Sequence, residues 1–157
     1  MSKYEWLLLI HVGGAFAVLA GALFAAVLNL AALRRDRPGE IALLLGLIRV
    51  GVVLIVLGML VTLVFGFWLI DETAYEAGDA WISAALVLWV ATLLLGGLGG
   101  RRDRKTRALA EQLAAQGNAP SAELQARLRD PVSLVLSYGS GVLVLAILVL
   151  MIWKPGS

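Results

Sequence analysis

The sequence predicts an all-α, polytopic membrane protein: an antiparallel four-helix transmembrane bundle with a short amphipathic helical cytoplasmic link. Three observations carry that expectation. The 157 residues are 61% hydrophobic and only 15% charged, outside the range of soluble domains. Four apolar runs, 6–33, 48–70, 80–100 and 132–153, each reach the ~20 residues that a helix needs to cross a hydrocarbon core. A chain this short cannot bury four such helices on every face. Backbone groups in lipid must be paired internally, which leaves helices or a closed barrel. Barrel strands are short and alternate in polarity, and these runs do neither. The whole chain, 1–157, is expected to form one transmembrane domain with its link at 101–131.

The first run follows a single basic residue, Lys3, and is far longer than a signal-peptide core of about 7–15 residues. It is expected to stay as an anchor and a bundle member. Gly13, Ala17, Gly21 and Ala25 recur along it every fourth residue, a small-residue stripe of the kind that lets helix backbones approach closely. The second run carries Gly51, Gly58, Thr62 and Gly66 in a similar stripe. Arg49 separates it from the apolar stretch 41–48. This arginine either snorkels at the headgroup level, leaving 41–48 protruding or interfacial, or sits in the bundle as an anion or propionate contact.

The third run has no charge and ends in GGLGG at 96–100, which is expected to loosen that end of the helix. Trp89 lies near its middle, where an indole N–H needs a partner. In the link, 104–116 is rich in helix formers, with Leu109 and Leu113 four apart. Gly117, Asn118, Ala119 and Pro120 break it, and Ser121 can cap a short helix holding Leu124 and Leu128. Basic residues beside narrow leucine edges suggest two interfacial helices resting on anionic lipid. Asp130 and Pro131 suit the start of the fourth helix, whose small stripe is Ser133, Ser137 and Gly141. These stripes suit a compact monomer or a dimer face equally.

Charge gives the orientation. The first link holds Arg34, Arg35 and Arg37, and the third holds Arg101, Arg102, Arg104, Lys105, Arg107, Arg127 and Arg129. The middle link carries Asp71, Glu72, Glu76 and Asp79 and no base. Bases collect on the cytoplasmic side, so both termini are expected outside a bacterial inner membrane, with Lys3 and Lys154 as minor contrary charges. Trp6, Trp68, Trp81 and Trp153, with Tyr4 and Tyr75, fall at the outer level, where indoles either anchor to the headgroup boundary or form a ligand-binding aromatic cluster.

Chemistry has few places to sit. There is no cysteine, and no paired intramembrane carboxylates, nucleophile–base pair or phosphate-cradling loop is present. A nucleic-acid partner would need a denser basic surface; the expected partners are the phospholipid bilayer and either a second copy or a larger membrane complex. His11 stands out, two turns into the first helix beside Gly13 and Gly14. An ionisable group at that depth is a site hypothesis by default. It is a hydrogen-bonded structural residue, a haem b or quinone contact, or a metal or proton handler. For haem, the imidazole is the axial ligand, Gly14 admits the flat macrocycle, Met59 is a sulfur donor and Arg49 a propionate contact. Copper at His11 with methionine would have only Met59 and Met151 to draw on.

LLLIHVGGAFAVLAG in the first helix, the glycine-spaced second helix ending GFWLID, the segment GDAWISAALVLWV and the link opening GRRDRKTRALAE together resemble the DUF2269 family of bacterial predicted integral-membrane proteins of unknown function. The resemblance covers nearly the whole chain and implies an architecture without an assigned reaction. The histidine–valine–glycine opening is also distantly similar to the copper-resistance membrane domain and to the small haem-binding protoporphyrinogen oxidase family, which implies a haem ligand at His11. The oxidase pattern further expects an intramembrane lysine on a later helix, and this chain has none. The expected role is structural or accessory to a membrane assembly, without enzyme activity. The alternatives are a b-type haem or quinone redox protein and a small oligomeric transporter or channel. Because the chain lacks cysteine, single introduced thiols report topology directly. A thiol at position 75 should react with an impermeant reagent from outside and one at position 106 from inside; the reverse pattern contradicts the orientation.

Overall fold

A computed structural model describes residues 2–73, 75–76 and 78–155. The elements are α1 (Lys3–Ala32), α2 (Pro38–Asp71), α3 (Ala80–Ala115), the short α4 (Ala122–Leu128) and α5 (Pro131–Trp153). The four long helices are each long and apolar enough to cross a membrane. Their termini follow local chemistry. Ser2 and Glu5 form a capping box at the start of α1, and Lys3 pairs with Glu72, tying that start to the end of α2. Pro38 and Pro131 occupy first-turn positions, where a missing N–H costs nothing. The Asp130 carboxylate accepts from the Ser133 N–H at 3.0 Å.

The closest packing is between the antiparallel α1 and α2. Gly14 opposes Gly58 and Gly21 opposes Gly51. A Cβ added at Gly21 would lie 2.5 Å from the Gly51 carbonyl oxygen, and one at Gly58 would lie 2.6 Å from that of Gly14. The expected stripe on α2 is therefore confirmed at Gly51, Gly58, Thr62 and Gly66. On α1 the facing residues are Gly14, Val18, Gly21 and Ala25, whereas Gly13 meets nothing within 4 Å. The expected α1 stripe holds at Gly21 and Ala25, while its first two members shift from Gly13 and Ala17 to Gly14 and Val18, because a real helix face alternates steps of four and three. On the other side of the bundle α3 packs along α5, with Gly99 against Ser137, while Gly141 meets nothing within 4 Å. α2 joins the two pairs through α3, and α1 and α5 scarcely touch. Leu23, Val27, Val87, Leu94, Val135 and Val142 face outward, as a lipid-facing surface requires.

α2 has 34 residues and α3 has 36, so they run about 51 and 54 Å at 1.5 Å per residue, against a core of about 30 Å. Both overshoot at the same end. α3 continues unbroken through GGLGG, although Gly96 and Gly97 border open space. Without water to take up freed backbone groups, an apolar helix gains nothing by opening at glycine. The overshooting parts and α4 enclose a second core of Ala32, Ile41, Leu45, Ile48, Ala110, Leu124 and Leu128, with Leu109 and Leu113 packed on it. The leucine edges thus meet protein, which corrects the expectation of two separate interfacial helices lying on lipid. Asn118, in the left-handed region at φ 58°, clips this core together: its Oδ1 accepts from the Gly39 N–H at 2.7 Å, capping α2 from a distant loop. Thr106 is buried here and Lys105 exposed, so an accessible thiol at this end belongs at Lys105.

The α1–α2 contact makes a clear prediction. Gly58→Val forces a side chain into the Gly14 backbone and should cost on the order of 1–3 kcal/mol, read from unfolding in detergent. Gly13→Val, facing open space, should cost nothing measurable, and equal losses from the two variants would contradict the register.

Candidate functional site

Because α1 is drawn onto α2 and α5 onto α3, the fourth interface of the bundle is left open. A cavity of about 440 Å³ occupies it, at the end of the bundle that carries the chain termini. Its size falls within the range of about 300–1,000 Å³ typical of small-molecule sites. All four long helices contribute walls. His11 comes from α1, Met59, Thr62 and Gly66 from α2, Trp81 and Trp89 from α3, and Met151 from α5. Most of the remaining lining is aliphatic or phenylalanine.

His11 is held by one bond. Its Nδ1 lies 2.9 Å from the Thr62 carbonyl oxygen. A carbonyl only accepts, so Nδ1 carries the proton, and in the neutral ring Nε2 keeps its lone pair. Gly66 makes room for the ring: a Cβ there would sit 3.1 Å from the His11 Cε1. Three of the lining residues, Thr62 on α2 and Trp81 and Trp89 on α3, also carry a polar atom that is turned into protein and that nothing satisfies. Thr62 Oγ1, Trp81 Nε1 and Trp89 Nε1 are buried and have no hydrogen-bond partner. Each such group costs about 1–3 kcal/mol when left unpaired, and native proteins hold few of them without a reason. Thr92, by contrast, returns its hydroxyl to the Leu88 carbonyl at 2.8 Å.

An aromatic and cationic rim closes the terminal end. Tyr75 packs edge-on against Trp81 with centroids 5.3 Å apart. The Lys154 ammonium stands 4.6 Å from the Tyr75 ring centre and donates to Tyr75 Oη at 3.2 Å. Trp81 is buried at 7% exposure, whereas Trp6, Trp68 and Trp153 are more than half exposed. The three exposed indoles fit the anchoring expected of them, and Trp81 is a wall residue instead.

Of the residues singled out in the sequence, the structure brings His11 and Met59 to one cavity. They are neighbours on the α1–α2 wall, because His11 meets Thr62 and Met59 lies one turn along α2. Gly14 is beneath that wall, where a Cβ would sit 2.6 Å from Thr62 Oγ1. Arg49 is exposed on α2 and does not line the cavity. Among the described residues no group of three or more His, Cys, Asp or Glu side chains is placed to hold a metal ion. Thr62 gives no sign in the sequence of being a site residue, whereas Trp81 belongs to the outer tryptophans that the sequence leaves open to an aromatic cluster as well as to anchoring.

Four membrane-length helices around a largely apolar, ligand-sized cavity define a multi-pass membrane protein with an internal cavity. The chain belongs to the family of predicted integral membrane proteins DUF2269, whose model matches residues 5–155. No curated protein and no solved structure matches it, and nothing in the comparisons supports the likeness to copper-resistance or haem-oxidase proteins.

The unpaired Thr62 hydroxyl gives a test of the wall. Thr62→Val keeps the shape and removes an atom with no partner, so the protein should be at least as stable as the wild type in detergent unfolding. A loss above about 1 kcal/mol would show that the hydroxyl has a partner after all.

Proposed function

We propose that the protein binds a membrane-soluble ring compound bearing two oxygens, of the quinone type, and holds it for a membrane assembly without transforming it. The observation that carries this reading is one ligand-sized apolar cavity lined by His11 together with Thr62, Trp81 and Trp89, each of these three holding a buried polar atom without a partner that a side-chain rotation could bring to the space. Quinone carbonyls accept hydrogen bonds, which suits indole N–H groups and a threonine hydroxyl within a short side-chain rotation. The unprotonated His11 Nε2 accepts from a hydroxyl, which suits the reduced, quinol form. The sparse contact between α1 and α5 leaves a path for an isoprenoid tail toward lipid.

A haem b reading rests on the His11 bond to Thr62, since an Nδ1–H held by a carbonyl is how axial and metal-bound histidines are oriented. Met59 shares the His11 wall and does not face it across the space a macrocycle would fill, so a second axial ligand would have to be Met151, which lines the cavity from α5. The haem reading predicts a Soret band that disappears in His11→Ala; protein made with ample haem and lacking the band rules it out. We further propose a bacterial cell-membrane location with both termini outside, supported by the arginine-rich α4 end and the acidic opposite link. The cavity then lies in the outer half of the bilayer.

Binding is tested with a short-chain quinone analogue added to the protein in nanodiscs, read by quenching of tryptophan fluorescence. Saturable quenching is expected, with His11→Ala and Thr62→Val each weakening affinity up to about tenfold, the equivalent of one hydrogen bond of about 1.4 kcal/mol. Quenching that follows only lipid partitioning and ignores both variants would refute the proposal.

A further inference from the structure

The end of the bundle away from the cavity holds a different kind of space. Residues from all five helices meet there around a void of about 10 Å³, close to the minimum that accommodates one water-sized particle. Its polar lining is Asn29 from α1, Asp103 and Thr106 from α3, Arg127 from α4, and Ser133 and Ser137 from α5. Apart from Arg127, these side chains offer oxygen.

Two acceptors at this junction make no hydrogen bond or ion pair, although the Arg127 guanidinium, paired outward with Glu123, lines the same void. Asn29 Oδ1 is buried with no hydrogen-bond partner. Asp103 is half-buried, and among the described residues no base lies within ion-pair distance of it. The neighbouring bases are committed elsewhere: Arg102 to Asp130 at 2.7 Å, Arg107 to Glu111 at 2.7 Å and Arg127 to Glu123 at 2.9 Å. A buried carboxylate is ordinarily paired or bound to a cation.

The geometry points to a site for one small monovalent cation of the sodium type, held by oxygens of Asp103, Asn29, Thr106, Ser133 and Ser137. Oxygen ligands without sulfur or imidazole suit a hard cation and disfavour zinc or copper. One carboxylate balances one unit charge, whereas calcium sites use six to eight oxygens and commonly several carboxylates. The void has no room for a hydration shell, so the ion would exchange its waters for the side-chain oxygens. Its ligands span α1, α3 and α5, so occupancy ties the two helix pairs together at this end. This site is independent of the quinone-type cavity.

The test compares thermal unfolding of the detergent-solubilised protein in sodium chloride and in choline chloride, at equal ionic strength and fixed pH. A saturable rise in Tm with sodium is expected. Asp103→Asn should abolish that rise while unfolding in choline chloride no earlier than the wild type. ²³Na relaxation on the wild-type protein gives a readout that needs no variant, and broadening that saturates at one site is expected. Equal Tm in the two salts, or a sodium effect that survives in Asp103→Asn, overturns the proposal. Stabilisation by lower pH without any sodium effect overturns it as well, and shows that the carboxyl takes a proton instead.

Discussion

The contact of α1 with α2 through paired glycines is the constraint on which the rest of the structure depends. Apolar helices gain little by hiding from lipid that is as apolar as they are, so close packing and hydrogen bonding decide which of them associate. Gly14 against Gly58 and Gly21 against Gly51 let two backbones approach until each glycine faces the other's carbonyl. At that separation, many dispersion contacts and weak Cα–H···O interactions add up. The register also brings His11 onto the Thr62 carbonyl. By pulling α1 to one side it leaves the α1–α5 interface unfilled, and the cavity follows.

The two ends of the molecule resolve the same composition in opposite ways. At the end carrying the termini, large residues stand around a space and polar atoms of its lining residues stay unpaired. At the other end, alanine, isoleucine and leucine from α1–α4 close into a core, and Asn118 and Gln125 complete backbone bonds across loops, although Asn29 Oδ1 and Gln125 Oε1 stay unpaired there too. A tight end and an open end on shared helices is a sound arrangement for a binding protein, because the rigid part maintains the shape of the site. Unpaired polar groups destabilise the empty state and make a ligand that satisfies them more favourable.

Much of the architecture was legible in the sequence because hydropathy, proline and cap residues act locally. Asp130 and Pro131 mark their helix start as expected, and the small residues of α2 face α1. The stripe on α1 is right at Gly21 and Ala25 and off at its first two positions, because glycines at both 13 and 14 fit a small-residue pattern and only the partner helix distinguishes them. The leucines of 104–128 were read toward lipid because their partners, Ile41, Leu45 and Ile48, are distant in sequence. For the site, His11 and Met59 were visible as rare residue types. Trp81 stayed open between anchor and aromatic cluster because its burial depends on Tyr75 and α5, and Thr62 gave no sign because its lack of a partner is a three-dimensional fact. Arg49 was ambiguous from its position alone and proves to be exposed.

The cavity is proposed to be a ligand site and not a packing fault. An experimental density map of the protein extracted with its native lipid tests this most directly. The account predicts non-protein density with a flat head within hydrogen-bonding distance of His11 or Thr62 and an extension toward lipid between α1 and α5. A cavity that is closed, or filled only by acyl chains with the Trp81 and Trp89 indoles still unpaired, would contradict it.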